Sequence, residues 1–307
     1  MKLTMRNFSD ENDYWRIRQF LREVMILNRL QELSWSVPRL DYWRFFGMNS
    51  IHPFEVFPNI IFLWETSDDQ IVAVLNPEEP GNTFMQVHPA FKTKELEEEM
   101  VVTAEERLSV IRNGRHRLHL WADSQDFQRQ HLLNDCGFTM EDYAENQWRR
   151  DMDSPIPDVP IAAGYNIRSL GNENEFPART WASFRGFHPD APIEDYKGPQ
   201  WYHDIQRCPL YRRDLDLVAA TGDIIAAFST FWYDDYTRTV YIEPVATVPE
   251  HQRRGLARAL ITKGLRRVQR LGAVRAFVGG YEPGPDALYS STLSPEYDRS
   301  VSWVKEW

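Results

Sequence analysis

Cysteine is nearly missing from this chain: Cys136 and Cys208 are the only two in 307 residues. They form no close-spaced pair, which excludes a disulfide framework or a cysteine zinc site and leaves them as core thiols. The 8 histidines show no metal-ligand spacing either, so no metal is expected. No apolar run approaches the roughly 18 residues of a membrane span. The opening Met1-Lys2-Leu3-Thr4 lacks the profile of a signal peptide. The expectation is a globular, cytoplasmic protein with no membrane partner. Positive charge is also short: the formal net charge of -10 argues against a nucleic-acid binder. Neither the ATP-binding loop, with its Gly-Lys-Ser/Thr ending, nor the three-glycine dinucleotide turn is present.

What is there is core material. Hydrophobic residues make up 42% and aromatic ones 13% of the chain. Its length suits two domains of about 150 residues each. The stretch from Met152 to Gly164 carries Pro155, Pro157 and Pro160, which forbid regular helix and interior strand, and reads as a linker. The expected domains are 1–151 and 165–307, joined by 152–164.

Each half follows one order of elements. In the second, strands are expected over Tyr165–Leu170 and, as a pair, over Leu215–Phe231; further strands are expected over Thr239–Val248, Ala273–Val278 and Val301–Trp307. Helices are expected over Glu175–Phe187, Pro199–Cys208, Leu256–Leu271 and near Asp286–Leu293. The first half offers strands Lys2–Arg6, Asn59–Glu65, Gln70–Leu75, Thr83–His88, Arg117–Ala122 and Glu145–Asp151. Its helices are expected over Asn12–Glu32, Glu95–Ile111 and Asp126–Asp135. Such self-similarity suggests duplication and lets one copy be compared with the other.

The most informative stretch is Gln252-Arg253-Arg254-Gly255-Leu256-Ala257, between a strand and a helix. A glycine-containing turn entering a helix leaves backbone N–H groups aimed where an anion would sit, and nearby arginines add charge-assisted donors. Upstream on the strand, Pro244 lacks the N–H a ladder needs, so a bulge or splay is expected there.

This stretch resembles the Q/R-x-x-G-x-G/A pyrophosphate loop of the Gcn5-related N-acetyltransferases (GNAT), which bind acetyl-coenzyme A and acetylate amines. The resemblance implies an α/β fold of two tandem GNAT-like domains, each a mostly antiparallel mixed sheet flanked by helices. It implies acetyl-CoA held by Gln252, Arg253, Arg254, Gly255, Leu256, Ala257 and Arg258, with its pantetheine arm along Val245, Ala246 and Thr247. Glu243 takes the place of the family's general base. Asp286-Ala287-Leu288-Tyr289 resembles the Ala-x-x-Leu-Tyr helix, which makes Tyr289 the acid that protonates the departing thiolate, although the usual Gly-Phe appears as Leu293-Ser294. The acceptor is expected to be a small-molecule primary amine that attacks directly, and the protein to be a monomer or homodimer. Its specificity depends on loops around Gly186–Gly198 and Trp232–Arg238, which carry no recognisable code.

Aligning Pro89 with Pro249 sets Glu95 against Gly255 and Thr83 against Glu243; Leu133, before Gly137-Phe138, falls at the place of Tyr289. The acidic run Glu95 to Glu99 would repel a pyrophosphate from that helix start. The first half reads as a degenerate copy kept for packing, for shaping the acceptor pocket or for pairing. Two further readings stay open: a non-catalytic acetyl-CoA or CoA-binding sensor or assembly module, and a structural pair of domains that binds no nucleotide. Glu243 as a structural ion pair and Tyr289 as core packing are the corresponding alternatives at single residues.

Overall fold

The computed structural model describes residues 2–48 and 56–307. It divides into two compact units: Met1–Trp43, Ile51–Gln147 and Tyr297–Trp307 form the first, and Arg44–Ser50 with Trp148–Glu296 form the second. Each has its own apolar core, one around Trp64, Leu75, Met100 and Leu120, the other around Phe231, Ile242, Leu260 and Val278.

The first unit carries strands β1 (Thr4–Asn7), β2 (Phe62–Glu65), β3 (Ile71–Glu79), β4 (Asn82–Val87), β5 (Val110–Arg112), β6 (Arg115–Asp123), most of β7 (Thr139–Asp151) and β13 (Tyr297–Glu306). Its order is β1-β2-β3-β4-β6-β13-β7, with β5 hairpinned to β6. The helices are α1 (Glu11–Leu27), α2 (Val37–Tyr42), a single turn α3 (Phe57–Ile60), α4 (Lys94–Arg107) and α5 (Phe127–Asp135).

Four expectations change here. The first helix stops at Leu27, because Arg29 and Leu30 enter the left-handed region at φ 55 and 59. The expected helix to Ile111 ends at Arg107: Asn113-Gly114, at φ 50 and 77, makes the two-residue turn that folds β5 onto β6. Residues 57–60 form a helical turn before β2 instead of its start. The final strand, expected to complete the second half, pairs with β6 from Ser300–Asp123 to Glu306–Arg117, and its Trp303 is buried in the first core. The first unit therefore takes the chain's last strand, and the main segment of the second begins at Trp148, ahead of the proline-rich stretch.

The second unit carries β8 (Asn166–Ser169), β9 (Asp216–Thr221), β10 (Ile224–Asp234), β11 (Thr239–Thr247) and β12 (Arg275–Gly280) in the order β12-β11-β10-β9-β8. Helices α6 (Phe176–Phe187), α7 (Tyr202–Gln206), α8 (Leu256–Arg270) and α9 (Pro283–Thr292) accompany them. The helix expected over Pro199–Cys208 is confined to α7. Helix α8 presents Leu260, Ile261, Leu265 and Val268 to the core at 0% exposure, each contributing about 1.5–3 kcal/mol by burial. It lies so close to β10 that a Cβ on Gly264 would stand 2.0 Å from the Phe231 ring. Gly264 is thus a packing requirement of the helix that opens at Gly255.

Candidate active site

Strand β11 parts from its neighbours where proline interrupts it. Its pairing with β10 shifts register between Ser229–Val245 and Phe231–Ile242, so Glu243 and Pro244 together oppose Thr230. That is the expected bulge. On its other edge β11 runs parallel to β12 only from Thr239–Arg275 to Tyr241–Phe277. From Ile242 onward that edge has no strand against it among the described residues. Val245, Ala246 and Thr247 lie on this parted segment. Helix α6 covers it at very close range: a Cβ on Gly186 would stand 2.8 Å from that of Ala246.

The chain then makes a short 3-10 turn at Pro249–His251 and enters α8 through Gly255, the N-cap, at φ 74. That backbone conformation favours glycine. No side chain caps the helix, no acidic residue lies in its first turn, and nothing lies within 4 Å of where a Cβ on Gly255 would be. The first helical N–H groups thus face open space at the positive end of the helix. Arg253, Arg254 and Arg258 are exposed around them, Arg253 itself at φ 60. The Gln252 side-chain amide donates to the Thr247 carbonyl at 3.2 Å and braces the turn. Tyr165 and His251 (2.7 Å) and Arg185 and Glu250 (3.3 Å) tie the same loop to the rest of the unit.

Glu243 and Tyr289 converge. Tyr289, on α9, is 7% exposed, and its hydroxyl has no hydrogen-bond partner among the described residues. Burial raises its pKa well above the ordinary tyrosine value, and the charges of Glu243 and Asp286 raise it further. The hydroxyl therefore keeps its proton at any working pH. Glu243 is half-buried on the bulge. Asp286 is fixed at 2.6 Å by the indole N–H of Trp148 and packs on Gly280, where a Cβ would collide with its Oδ1 at 2.2 Å. One acid and one carboxylate thus flank the start of the parted strand.

Residues that sequence reasoning missed hold this geometry. The Trp232 indole donates to the Glu243 carbonyl at 2.5 Å, and Tyr211, edge-on to Trp232 at 6.1 Å, donates to Asp216 at 2.9 Å. Asp216 is fully buried and takes further hydrogen bonds from Tyr202 and, at 3.2 Å, from Thr230 on the strand opposite the bulge. Arg179 lies 3.8 Å from Asp216 and 3.5 Å above the Phe228 ring centroid. No short-range signal marks these residues; they meet only when α6, α7 and the β9–β10 hairpin pack together.

The corresponding place in the first unit is filled from within. Helix α4 is capped by Thr93, whose hydroxyl accepts from the Leu96 N–H at 3.2 Å. Glu97 in its first turn is fully buried and accepts from Arg129 Nε at 2.8 Å. Arg129 also donates to the Met85 carbonyl on β4 at 3.2 Å. That bond lies beyond the point where β4 and β6, paired at Asn82–His119 and Thr83–Leu120, separate.

Among the described residues no group of three or more His, Cys, Asp or Glu is placed to hold a metal ion, and no helix is long and apolar enough to cross a membrane. Residues 178–288 match the model of the Acetyltransferase (GNAT) family. No curated protein sequence matches the chain. Among solved structures, it is similar to a GCN5-related N-acetyltransferase from Sphaerobacter thermophilus, with 15% identity over 99% of this chain and 95% of that one and a TM-score of 0.68. It is also similar to a tandem GNAT protein from the clavulanic acid biosynthesis pathway, at 13% identity, 99% and 98% coverage and a TM-score of 0.65. A GNAT-family acetyltransferase from Colwellia psychrerythraea aligns at 10% identity over 98% and 99% with a TM-score of 0.59. The open helix start and the parted strand thus lie inside the segment that matches the GNAT family model, and the whole chain has a fold similar to that of a solved tandem GNAT protein.

Proposed function

We propose that the second unit is an acetyl-CoA-dependent N-acetyltransferase acting on a primary amine of a small molecule. The observation that carries this reading is the uncapped start of α8 at left-handed Gly255, open to solvent and ringed by Arg253, Arg254 and Arg258. The backbone N–H groups of Gly255, Leu256, Ala257 and Arg258 would hold the diphosphate, while Gln252 acts by bracing the turn. The pantetheine amides would pair with the free edge of β11 at Val245, Ala246 and Thr247.

Acyl transfer to an amine needs a neutral nucleophile, a polarised carbonyl and a stabilised leaving thiolate. Glu243 would take the amine's proton, directly or through water, as the amine attacks the thioester carbonyl. Backbone N–H groups at the bulge would hold the carbonyl oxygen. The C–S bond then breaks, and the Tyr289 hydroxyl, kept protonated by its surroundings, donates to sulfur. No covalent enzyme intermediate is needed. The first unit, with its helix start capped and Arg129 inserted beside β4, supports the second without binding coenzyme A in this way. A cytoplasmic location fits this chemistry, since acetyl-CoA is made and used inside cells.

The test is titration calorimetry with acetyl-CoA, followed by thiol release with a pooled amine panel and mass detection of the acetylated product. Saturable binding with amine-dependent thiol release supports the enzyme. Binding without thiol release for any amine would leave a coenzyme A sensor, and absence of binding would end both readings.

A further inference from the structure

The first unit contains a pocket whose polar lining is built but left unpaired. An inner cavity of about 40 Å³ opens into a cleft of about 360 Å³; the two share Leu33, Ser34, Asp123, Arg129 and Asp298. Into the inner part face Glu32, Trp35 and Gln147, with exposures of 7%, 3% and 5%. Glu32 Oε1 accepts from the Ser36 N–H at 3.1 Å, but Oε2 has no hydrogen-bond partner among the described residues. Gln147 donates through Nε2 to Glu145 at 3.3 Å, and among the described residues neither its Oε1 nor the Trp35 indole N–H has a partner. Buried polar atoms are ordinarily satisfied, and three unsatisfied ones around one cavity form a set of two acceptors and one donor.

Charge decides the class of ligand. The cavity is lined by the carboxylates Glu32, Asp123, Glu145 and Asp298 and by the guanidinium groups of Arg39 and Arg129. Both arginines are already spoken for: Arg39 by Glu145 at 2.9 Å and Glu78 at 3.1 Å, Arg129 by Glu97 at 2.5 Å. Once Glu32 is ionised, carboxylates therefore outnumber guanidinium groups in the lining by four to two. Burial pushes the Glu32 carboxyl up to about 8, against the opposing pull of the Arg39 charge. Aromatic rings supply a further wall, with Trp35 5.2 Å from Phe84 and Phe84 stacked on Trp121 at 5.5 Å. The Arg39 guanidinium already lies over the Trp35 and Phe84 rings, at 5.2 and 5.1 Å, so this wall is one that accommodates a cation.

We propose that the first unit binds a small organic cation here: a primary ammonium placed between Glu32 Oε2 and Gln147 Oε1, with a neighbouring hydroxyl or carbonyl accepting from the Trp35 indole. The site is distinct from the acyl-transfer site and does not depend on it. In this half the helix start has closed, and a different pocket has been kept.

The test uses the full chain and titration calorimetry with 4-aminobutan-1-ol, n-butylamine, 1,4-butanediol and 4-hydroxybutyrate. The amino alcohol should bind at least about tenfold more tightly than the diol, and the hydroxy acid should not bind. Glu32→Gln and Gln147→Leu should each weaken the amino alcohol about tenfold or more. Trp35→Phe keeps an aromatic ring but removes the N–H, and should weaken the amino alcohol while sparing butylamine. Equal binding of amine and diol overturns the proposal, as does no binding by either amine. So does unchanged affinity in folded Glu32→Gln. If that variant fails to fold, an amino alcohol and butylamine that respond alike to Trp35→Phe overturn it instead.

Discussion

Two helix starts, at α4 in the first unit and α8 in the second, follow the same strand in the same layout and have opposite fates. At α4, Thr93 caps the helix, Glu97 occupies its first turn, and Arg129 neutralises that glutamate while bonding to β4. At α8, a left-handed glycine leaves the turn without a side-chain cap and without acid. The first arrangement satisfies the helix from inside the protein; the second leaves the helix start open. A fold repeated within one chain can therefore keep its packing while changing its chemistry through a few residues at one turn.

The sharpest way to break the contrast is to give the second turn the first one's residue. Gly255→Glu should abolish measurable acetyl-CoA binding in calorimetry, through a carboxylate at the phosphate position together with left-handed strain of about 1–2 kcal/mol. The added side chain has room, so the fold should survive in circular dichroism. The reverse lesion is Arg129→Met, which strands the buried Glu97. Its expected cost is about 3–5 kcal/mol in denaturant unfolding, because a lone buried carboxylate is worse than none.

Next in size is Tyr289→Phe. We expect turnover to fall about 100-fold with acetyl-CoA affinity little changed; equal turnover would remove the hydroxyl from the mechanism. Gly264→Ala should cost about 1–3 kcal/mol, since overpacking against Phe231 outweighs the gain of up to about 1 kcal/mol in helix propensity. A more stable variant would show that α8 has room to shift.

The last effect is a pH dependence confined to the first unit. Glu32 titrates near 8 in the folded chain against an ordinary 4.5, so its contribution is full below about 4.5 and is lost as pH rises through about 8. Thermal unfolding of wild type should therefore weaken between pH 5 and 9 more than that of Glu32→Gln. Parallel curves would mean that Glu32 is already ionised in the fold.

Much of this contrast was legible before any coordinates. Gly255 between a strand and an amphipathic helix, Pro244 in a strand and Glu95 at the glycine's counterpart are local features with local consequences, and the structure shows the bulge and the uncapped turn they imply. Boundaries were less legible. Arg29 and Leu30 end α1 through left-handed backbone that neither residue type signals, and the Asn113-Gly114 hairpin turn lay just past the expected helix end, whose last residues Val110 and Ile111 belong to β5. The network from Asp216 through Tyr211 and Trp232 to the Glu243 carbonyl could not be read at all, because its members meet only when α7, β9, β10 and the β11 bulge pack together.

The sequence by itself determined the elements, the two-copy layout and the turn with exposed N–H groups, since these follow from periodicity, backbone-restricting residues and the charge of adjacent side chains. Only the tertiary structure decided that the last strand belongs to the first unit, that Arg129 seals one helix start, and that Glu32, Trp35 and Gln147 share a cavity. Each of these depends on which surfaces meet after the chain folds back on itself, and a strand's choice of partner or a buried group's missing one is a property of the packed whole.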